Sequence, residues 1–212
     1  MTDPTYNEAS LQEIINKLHQ RNIAACCVTN SAEALDRAIA LIQPGATVTQ
    51  GGSVTLDQIG LRAHLMTSPG ITFIDPYAEG LSAAERIERR RIGLRSDLFF
   101  CSTNAITRDG ILVNRDGMGN RVAALIFGPT KVVIIAGINK IVRDIEAGIE
   151  RINSIAAPRN ARRLNRNTPC ADTDACSDCR TPDRICGSTV ITEWQPVKDR
   201  MTVILVRESL GY

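Results

Sequence analysis

The sequence predicts an α/β domain on a mostly parallel sheet flanked by helices. Three observations carry that expectation. Apolar runs of strand length alternate with segments of helical periodicity, the pattern of βα units. The segment KVVIIAG (131–137) is almost continuously apolar, as a strand covered on both faces requires. Hydrophobic residues make up 43% of the 212 and charged residues 23%, which suits one domain with a full core. A single domain over residues 1–212 follows, with no repeat and no low-complexity linker.

Leu11, Ile14, Ile15 and Leu18 recur at helical spacing, so residues 7–22 read as an amphipathic helix. IAACCVT (23–29) is a strand. Its adjacent Cys26 and Cys27 point to opposite faces and are expected as small core residues. Ser31, with Glu33 in the first turn, caps a second helix that Pro44-Gly45 ends. ATVT (46–49) is a strand running into QGGSVTLDQIG (50–60), a glycine turn that opens another helix, and ITFID (71–75) is a third strand. Ser82 and Glu85 have capping-box spacing ahead of the charged helix RIERRRIGLR (86–95), read as a solvated face.

DLFFCS (97–102) is the next strand, with Cys101 expected as a buried thiol. NAIT (104–107) and ILVN (111–114) flank Arg108-Asp109-Gly110, a hairpin signal. After KVVIIAG, Ile141, Ile145, Ile149, Ile152 and Ala156 mark one face of a helix that Pro158 stops. A basic connection, a cysteine-rich excursion over 168–187 and two strands, TVITEW (189–194) and TVILVRE (202–208), complete the pattern.

Composition excludes some function classes. The net charge is +2, and Phe, Tyr and Trp number only 4, 3 and 1, so neither a phosphate-binding stripe nor a base-stacking surface is supplied. No nucleic-acid partner is expected. MTDPTYNEAS lacks the basic and apolar regions of a secretory signal, and VVIIAGI (132–138) is far too short to span a bilayer. The expectation is a cytoplasmic protein without a membrane span, whose cysteines stay reduced.

Ligands in open parallel sheets collect beyond the carboxyl ends of strands. Gly51, Gly52 and Ser53 with Thr55 belong there, as a turn whose N–H groups can approach an anion. So does STNAITRDGILVNRDGMGNRVA (102–123), which holds Asn104, Asp109, Asn114, Arg115, Asp116, Gly117, Asn120 and Arg121. Amides and carboxylates there suit a polyol or hydroxy acid, and an arginine suits a carboxylate or phosphate. Lys140 stands near the next strand end. The expected ligand is an anionic small molecule, with Asp109 and Asp116 as the carboxylates for catalysis. His19 and His64 have no acid partner nearby in sequence and receive no role.

Cys170, Cys176, Cys179 and Cys186 form C-x5-C-x2-C-x6-C. Four thiolates satisfy tetrahedral zinc or the four irons of a cubane equally. Arg159, Arg162, Arg163, Arg166, Arg180 and Arg184 would offset thiolate charge with either metal.

Read together, GGSVTLDQIGL, SDLFFCSTNAITRDGILVNRDGMGNRVAALIFGP, VVIIAGINKIV, RINSIAAPRNARRL and the cysteine segment resemble the LUD-domain family, the lactate-utilisation proteins. The resemblance runs in order over nearly the whole chain. It implies a fold of the ribose-phosphate isomerase and CoA-transferase type, and a link with oxidation of lactate to pyruvate beside iron–sulfur proteins. On that association the cysteines are expected to hold a [4Fe-4S] cluster, with Zn2+ as the alternative. With no flavin or nicotinamide fingerprint, electrons would pass to an iron–sulfur redox partner.

NAITRDGILVNRDG also resembles a stretch of the methylthioribose-1-phosphate isomerases and their initiation-factor relatives, with Asn104, Gly110, Asn114 and Gly117 on matching positions. In those isomerases the position of Asn104 is a proton-transferring aspartate. An amide cannot do that work, which weighs against the same isomerisation. The alternatives to a role in hydroxy-acid metabolism are a non-enzymatic assembly or regulatory subunit braced by zinc, and a sugar-phosphate isomerase using another carboxylate.

Overall fold

The computed structural model describes residues 6–212. The first helix, α1 (Glu8–Gln20), starts where the Asn7 side chain accepts from the Ser10 N–H, and it buries Leu11, Ile14, Ile15 and Leu18. It leads into β1 (Ala24–Val28). The next helix, α2 (Ser31–Ile39), is capped by Asn30, whose side chain accepts from Glu33 N. The cap therefore lies one residue ahead of Ser31. The helix also ends ahead of Pro44 rather than at it.

β2 (Thr47–Gln50) runs through the glycine turn into α3 (Val54–Gln58), and α4 (Leu61–Thr67) follows before β3 (Thr72–Ile74). Ser82 and Glu85 form the expected reciprocal cap on α5 (Ala83–Gly93), which precedes β4 (Leu98–Cys101). β5 (Ala105–Thr107) and β6 (Leu112–Asp116) form the antiparallel hairpin. A helix that the glycine-rich sequence did not announce, α6 (Asn120–Ile126), then leads to β7 (Lys131–Gly137).

A 3-10 turn (Ile138–Lys140) and the short β8 (Ile141–Val142) come next, so Ile141 belongs to a strand and not to the following helix. That helix does not stop at Pro158. α7 (Ile145–Arg151) continues through a π turn (Ile152–Ala156) into α8 (Ala157–Arg163). Proline has no N–H to give, and it is tolerated here because it falls in the first turn after the wide π segment, where one fewer donor is needed. The last elements are α9 (Pro169–Thr173), β9 (Ser188–Thr192) and β10 (Met201–Val206).

The six-stranded sheet runs β1-β10-β7-β4-β2-β3, and every neighbouring pair is parallel. β7 sits inside it, as its unbroken apolar run requires. Alternate residues divide between the faces. Val132, Ile134 and Ala136 join α1 and Phe99, while Val133 and Ile135 join α2, α3, α4 and Phe100. Burying a side chain such as Phe100 contributes about 1.5–3 kcal/mol. On the edge strand β1, Cys26 packs against the core, whereas Cys27 is exposed, so only one of the pair is a core residue.

A second sheet, β8-β5-β6-β9, takes the hairpin and TVITEW away from the parallel sheet. Its own small core holds Ala105, Val113 and Ile152 beneath α7. Among the described residues no helix is long and apolar enough to cross a membrane.

Candidate functional site

Each parallel strand delivers its following turn to one end of the sheet, and a cavity of about 310 Å³ opens there. β2 supplies Gly52, Ser53 and, at the start of α3, Thr55; β4 supplies Ser102, Thr103 and Asn104; β7 supplies Lys140 through the 3-10 turn. Arg115, Asp116 and Gly117, from the end of β6, form the opposite wall with Asn120 and Arg121. The π turn closes one side with Ile152 and Ala156, and α8 adds Asn160 and Arg163.

The lining is electrically lopsided. Arg90, Arg115, Arg121, Lys140, Arg163 and Arg166 border the cavity, and among the described residues Asp116 is its one carboxylate side chain. Asp116 is itself engaged, accepting from the Arg121 backbone N–H at 3.0 Å and lying 3.7 Å from Arg121 Nε.

Arg121 is the brace of this wall rather than a free clamp. Its Nη1 donates to the Ser102 carbonyl at 3.0 Å and to Asn114 Oδ1 at 2.5 Å. Its Nη2 donates to Asn104 Oδ1 at 3.0 Å and to the Arg115 carbonyl at 2.9 Å. Asn114, fully buried, also accepts from Thr103 Oγ1 and from the Asn104 N–H, so it ties β4 to β6 and does not line the cavity.

The glycine turn works differently from expectation. The Gly51 N–H donates to the Phe100 carbonyl at 2.9 Å as part of the sheet, and Gly51 does not border the cavity. The Gly52 N–H donates to Tyr77 Oη at 2.5 Å. A Cβ on Gly52 would stand 2.9 Å from that oxygen, so the close approach of Tyr77 is what requires glycine. Ser53 caps α3 by accepting from the Leu56 N–H. Neither glycine N–H is left for an anion; the cationic side chains remain as its recognition groups. Burial raises the Tyr77 phenol, which keeps it protonated, and Arg90 lies 5.7 Å from its ring centre.

Lys140 is 2% exposed. Its Nζ donates to Thr55 Oγ1 at 3.0 Å and to Ser102 Oγ at 2.8 Å. Burial, and then the charges of Arg151 and Arg121, bring its pKa down to about 7. Arg151 is held by the carbonyls of Asn139 and Asn104. The segment after β10 crosses the cavity mouth: the Leu210 N–H donates to Asn139 Oδ1, and Arg163 Nε donates to Tyr212 Oη at 2.7 Å. Gly211 and Tyr212 therefore border the cavity too.

Gly52, Ser53, Thr55, Asn104, Asp116, Gly117, Asn120, Arg121 and Lys140 thus meet around one space, while Gly51 and Asn114 stand behind it. Asp109 does not join them. The hairpin leaves the cavity at Asn104 and returns at Arg115, so its tip lies away from it, with the Asp109 carbonyl accepting from Arg21 Nε at 2.6 Å. Of the two carboxylates, Asp116 borders the cavity and Asp109 does not. Tyr77, Arg90, Asn160 and Tyr212 were missed, and nothing local in the sequence points them inward. The arginines at 163 and 166 were visible only as charge beside the cysteines. Cys101 lies in the core, where burial pushes its thiol up to about 12.

The cysteine excursion abuts the same cavity. The Gly187 N–H donates to the Asp116 carbonyl at 2.9 Å, and a Cβ on Gly187 would stand 2.5 Å from the Gly117 oxygen, so the loop is seated hard on the end of β6. That contact makes Ile185 and Cys186 part of the lining. Cys170 is buried, Cys179 and Cys186 are half-buried and Cys176 is exposed. Burial raises the Cys186 thiol, and the sulfurs of Cys176 and Cys170 add to the rise, so three of the four sit within electrostatic reach of one another. The donor set suits a thiophilic metal. Among the described residues, however, no three such side chains are drawn together as ligands.

A family model for the LUD domain matches residues 11–206. The solved structure of a DUF162 family protein from Deinococcus radiodurans aligns with a TM-score of 0.54 at 15% identity, covering 96% of this chain and 99% of that one. That likeness establishes a shared fold. eIF2B beta from Chaetomium thermophilum aligns with a TM-score of 0.37 at 15% identity, over 64% of this chain and 47% of that one. The tetrameric eIF2B-beta2-delta2 complex of the same organism gives 0.39 at 18% identity, over 84% and 55%. No curated protein matches the sequence.

Proposed function

We propose a function from the premise that the chain belongs to the LUD-domain family: it binds a small carboxylate of lactate or related hydroxy-acid metabolism in the cavity at the strand ends, and works beside an iron–sulfur redox protein in the cytoplasm. The observation that carries this reading is the charge of the cavity, five arginine side chains against Asp116. Such a space favours an anion, and its polar groups from Ser53, Thr55, Asn104 and Asn120 suit the hydroxyl of a hydroxy acid. Arg163 and Arg166 would meet the carboxylate from the α8 side, while Arg121 holds the opposite wall in place.

Cys170, Cys176, Cys179 and Cys186 would hold a metal, and a cluster bound there would supply electron transfer next to the cavity that Cys186 borders. Zinc bound there would instead brace the loop. Asn104 accepts from Arg115 N and Arg121 Nη2 and offers no carboxylate, which disfavours the isomerase alternative.

The test is anaerobic purification with iron, sulfide and zinc quantified per chain, followed by titration with lactate and pyruvate read as thermal stabilisation. Iron and sulfide in equal amounts, with stabilisation lost in Arg163→Ala, would support the reading. Zinc alone would turn the loop into a brace and remove the electron-transfer role. Absence of stabilisation by any carboxylate or phosphate would overturn the anion site.

A further inference from the structure

Lys140 is the one lysine of the cavity; the other three, Lys17, Lys131 and Lys198, lie elsewhere on the chain. Its two hydrogen bonds have a definite direction. Thr55 Oγ1 donates to the Leu210 carbonyl at 3.4 Å, and Ser102 Oγ donates to the Thr103 carbonyl at 3.4 Å. Each hydroxyl has thereby spent its proton and faces Nζ as an acceptor. An ammonium group has three N–H donors and would leave one without an acceptor in a buried site. A neutral amine has two, which match the two hydroxyls and leave the lone pair unused. Among the described residues no carboxylate bonds to Nζ, and the nearby charges that lower it are those of Arg151 and Arg121. Asp116, the nearest acid of the cavity, is tied to Arg121.

We propose that Lys140 is a covalent capture site, whose Nζ forms an imine with the carbonyl carbon of a 2-oxo acid seated in the cavity. The inference rests on the anion-binding reading above and adds what the lysine does to the anion. The amine lone pair attacks the carbonyl carbon, a C–N bond forms, and the carbonyl π pair moves to oxygen, which takes up one N–H proton. The resulting carbinolamine loses its hydroxyl with the second proton as water, giving the imine. No electrons leave the pair of reactants, so no oxidant or reductant is required. Thr55 and Ser102 hold the amine through their oxygens, and both of its protons end on the departing water. Burial, with the charges of Arg151 and Arg121 behind it, favours the neutral amine, and Arg163 and Arg166 on the cavity wall meet the carboxylate.

The experiment incubates the intact protein with pyruvate and cyanoborohydride near neutral pH, then locates the reduced adduct by peptide mass mapping. Lactate, which has the carboxylate but no carbonyl, is the competitor. One adduct per chain at Lys140 is expected, protected by lactate and absent from Lys140→Arg. An amine with a pKa about 7 exposes a neutral fraction on the order of 10³ times that of an ordinary lysine, so labelling at the other three lysines should lag far behind. Mapping the wild-type adduct keeps the test decisive even if the variant folds poorly. Pyruvate that stabilises the protein yet leaves no adduct at Lys140 would overturn the covalent step and leave the anion site standing. Labelling spread evenly over all four lysines would also overturn it. Pyruvate that neither stabilises nor reacts would overturn both.

Discussion

The floor of the cavity and the cysteine loop beside it are held in opposite ways. The floor hangs from β2, β4 and β7, whose side chains from Val132 to Ala136 are at most 2% exposed and whose backbones are bonded on both sides. Its polar groups are fixed before any ligand arrives, because the sheet has already met the entropic cost of ordering them. The loop from 174 to 187 has no strand or helix and buries little. Gly187 seats its end on β6, and the rest is held mainly by the ion pairs Arg162–Asp174, Arg166–Asp183 and Arg184–Asp178, all between solvent-accessible side chains, where such pairs stabilise weakly. A prebuilt site and a loosely tied one share a wall, and the loose one carries the thiols. Metal binding is the obvious candidate to supply the order that packing does not.

Phe100→Ala should have the largest effect, a loss of about 3–5 kcal/mol in urea unfolding, because it opens a hole under β2, β4 and α3. Anion binding should fail with it; survival of binding would mean the cavity does not depend on the sheet as argued. Next is Arg121→Ala, which takes a donor from the carbonyls of Ser102 and Arg115 and from the amide oxygens of Asn114 and Asn104, and should cost about 2–3 kcal/mol. Arg121→Lys should rescue little, since an ammonium cannot span four acceptors in a plane.

Removing metal with a chelator should raise proteolysis between 174 and 187 on the order of tenfold while leaving the global unfolding transition in place. A chelator that lowered the global transition as much as Phe100→Ala would erase the distinction between the two regions. A last effect concerns pH and is read above neutrality. The folded protein holds Lys140 near 7 against an ordinary 10.5, so between those values the unfolded chain binds the extra proton. Stability from this group therefore rises with pH across that window and is flat below it. Lys140→Met should flatten that rise and lift the melting temperature at neutral pH, which a series of melts would read directly.

Strands were legible wherever burial on both faces left an apolar run, as at 131–137, and helix starts wherever a short polar side chain could cap, as at Ser82. Tertiary context decided the remainder. TVITEW has the same local character as TVILVRE, yet one joins the mixed sheet and the other the parallel one, a choice made by the partner strands. Pro158 reads as a helix end unless the π turn before it is known. Half of the candidate site was visible because strand ends carry polar and glycine residues. Tyr77 and Arg90 come from a turn and a helix face that look solvated along the chain and turn inward only in three dimensions. Asp109 failed for a simple reason: a hairpin tip and a strand end look alike in composition and lie at opposite ends of the strands.

The position of β10 has a consequence in time. It comes from residues 201–206, yet it lies between β1 and β7 with a full ladder on each side. During synthesis β1 waits for its only neighbour while the ribosome adds all the elements between. Until Val206 has left the exit tunnel, the parallel sheet is split, with apolar edges open to other chains. A chain cut short before that point can pair β7, β4, β2 and β3 but leaves β1 without its neighbour and one edge of β7 open. The strand that closes the sheet beneath the cavity is thus the last of the described strands to be made.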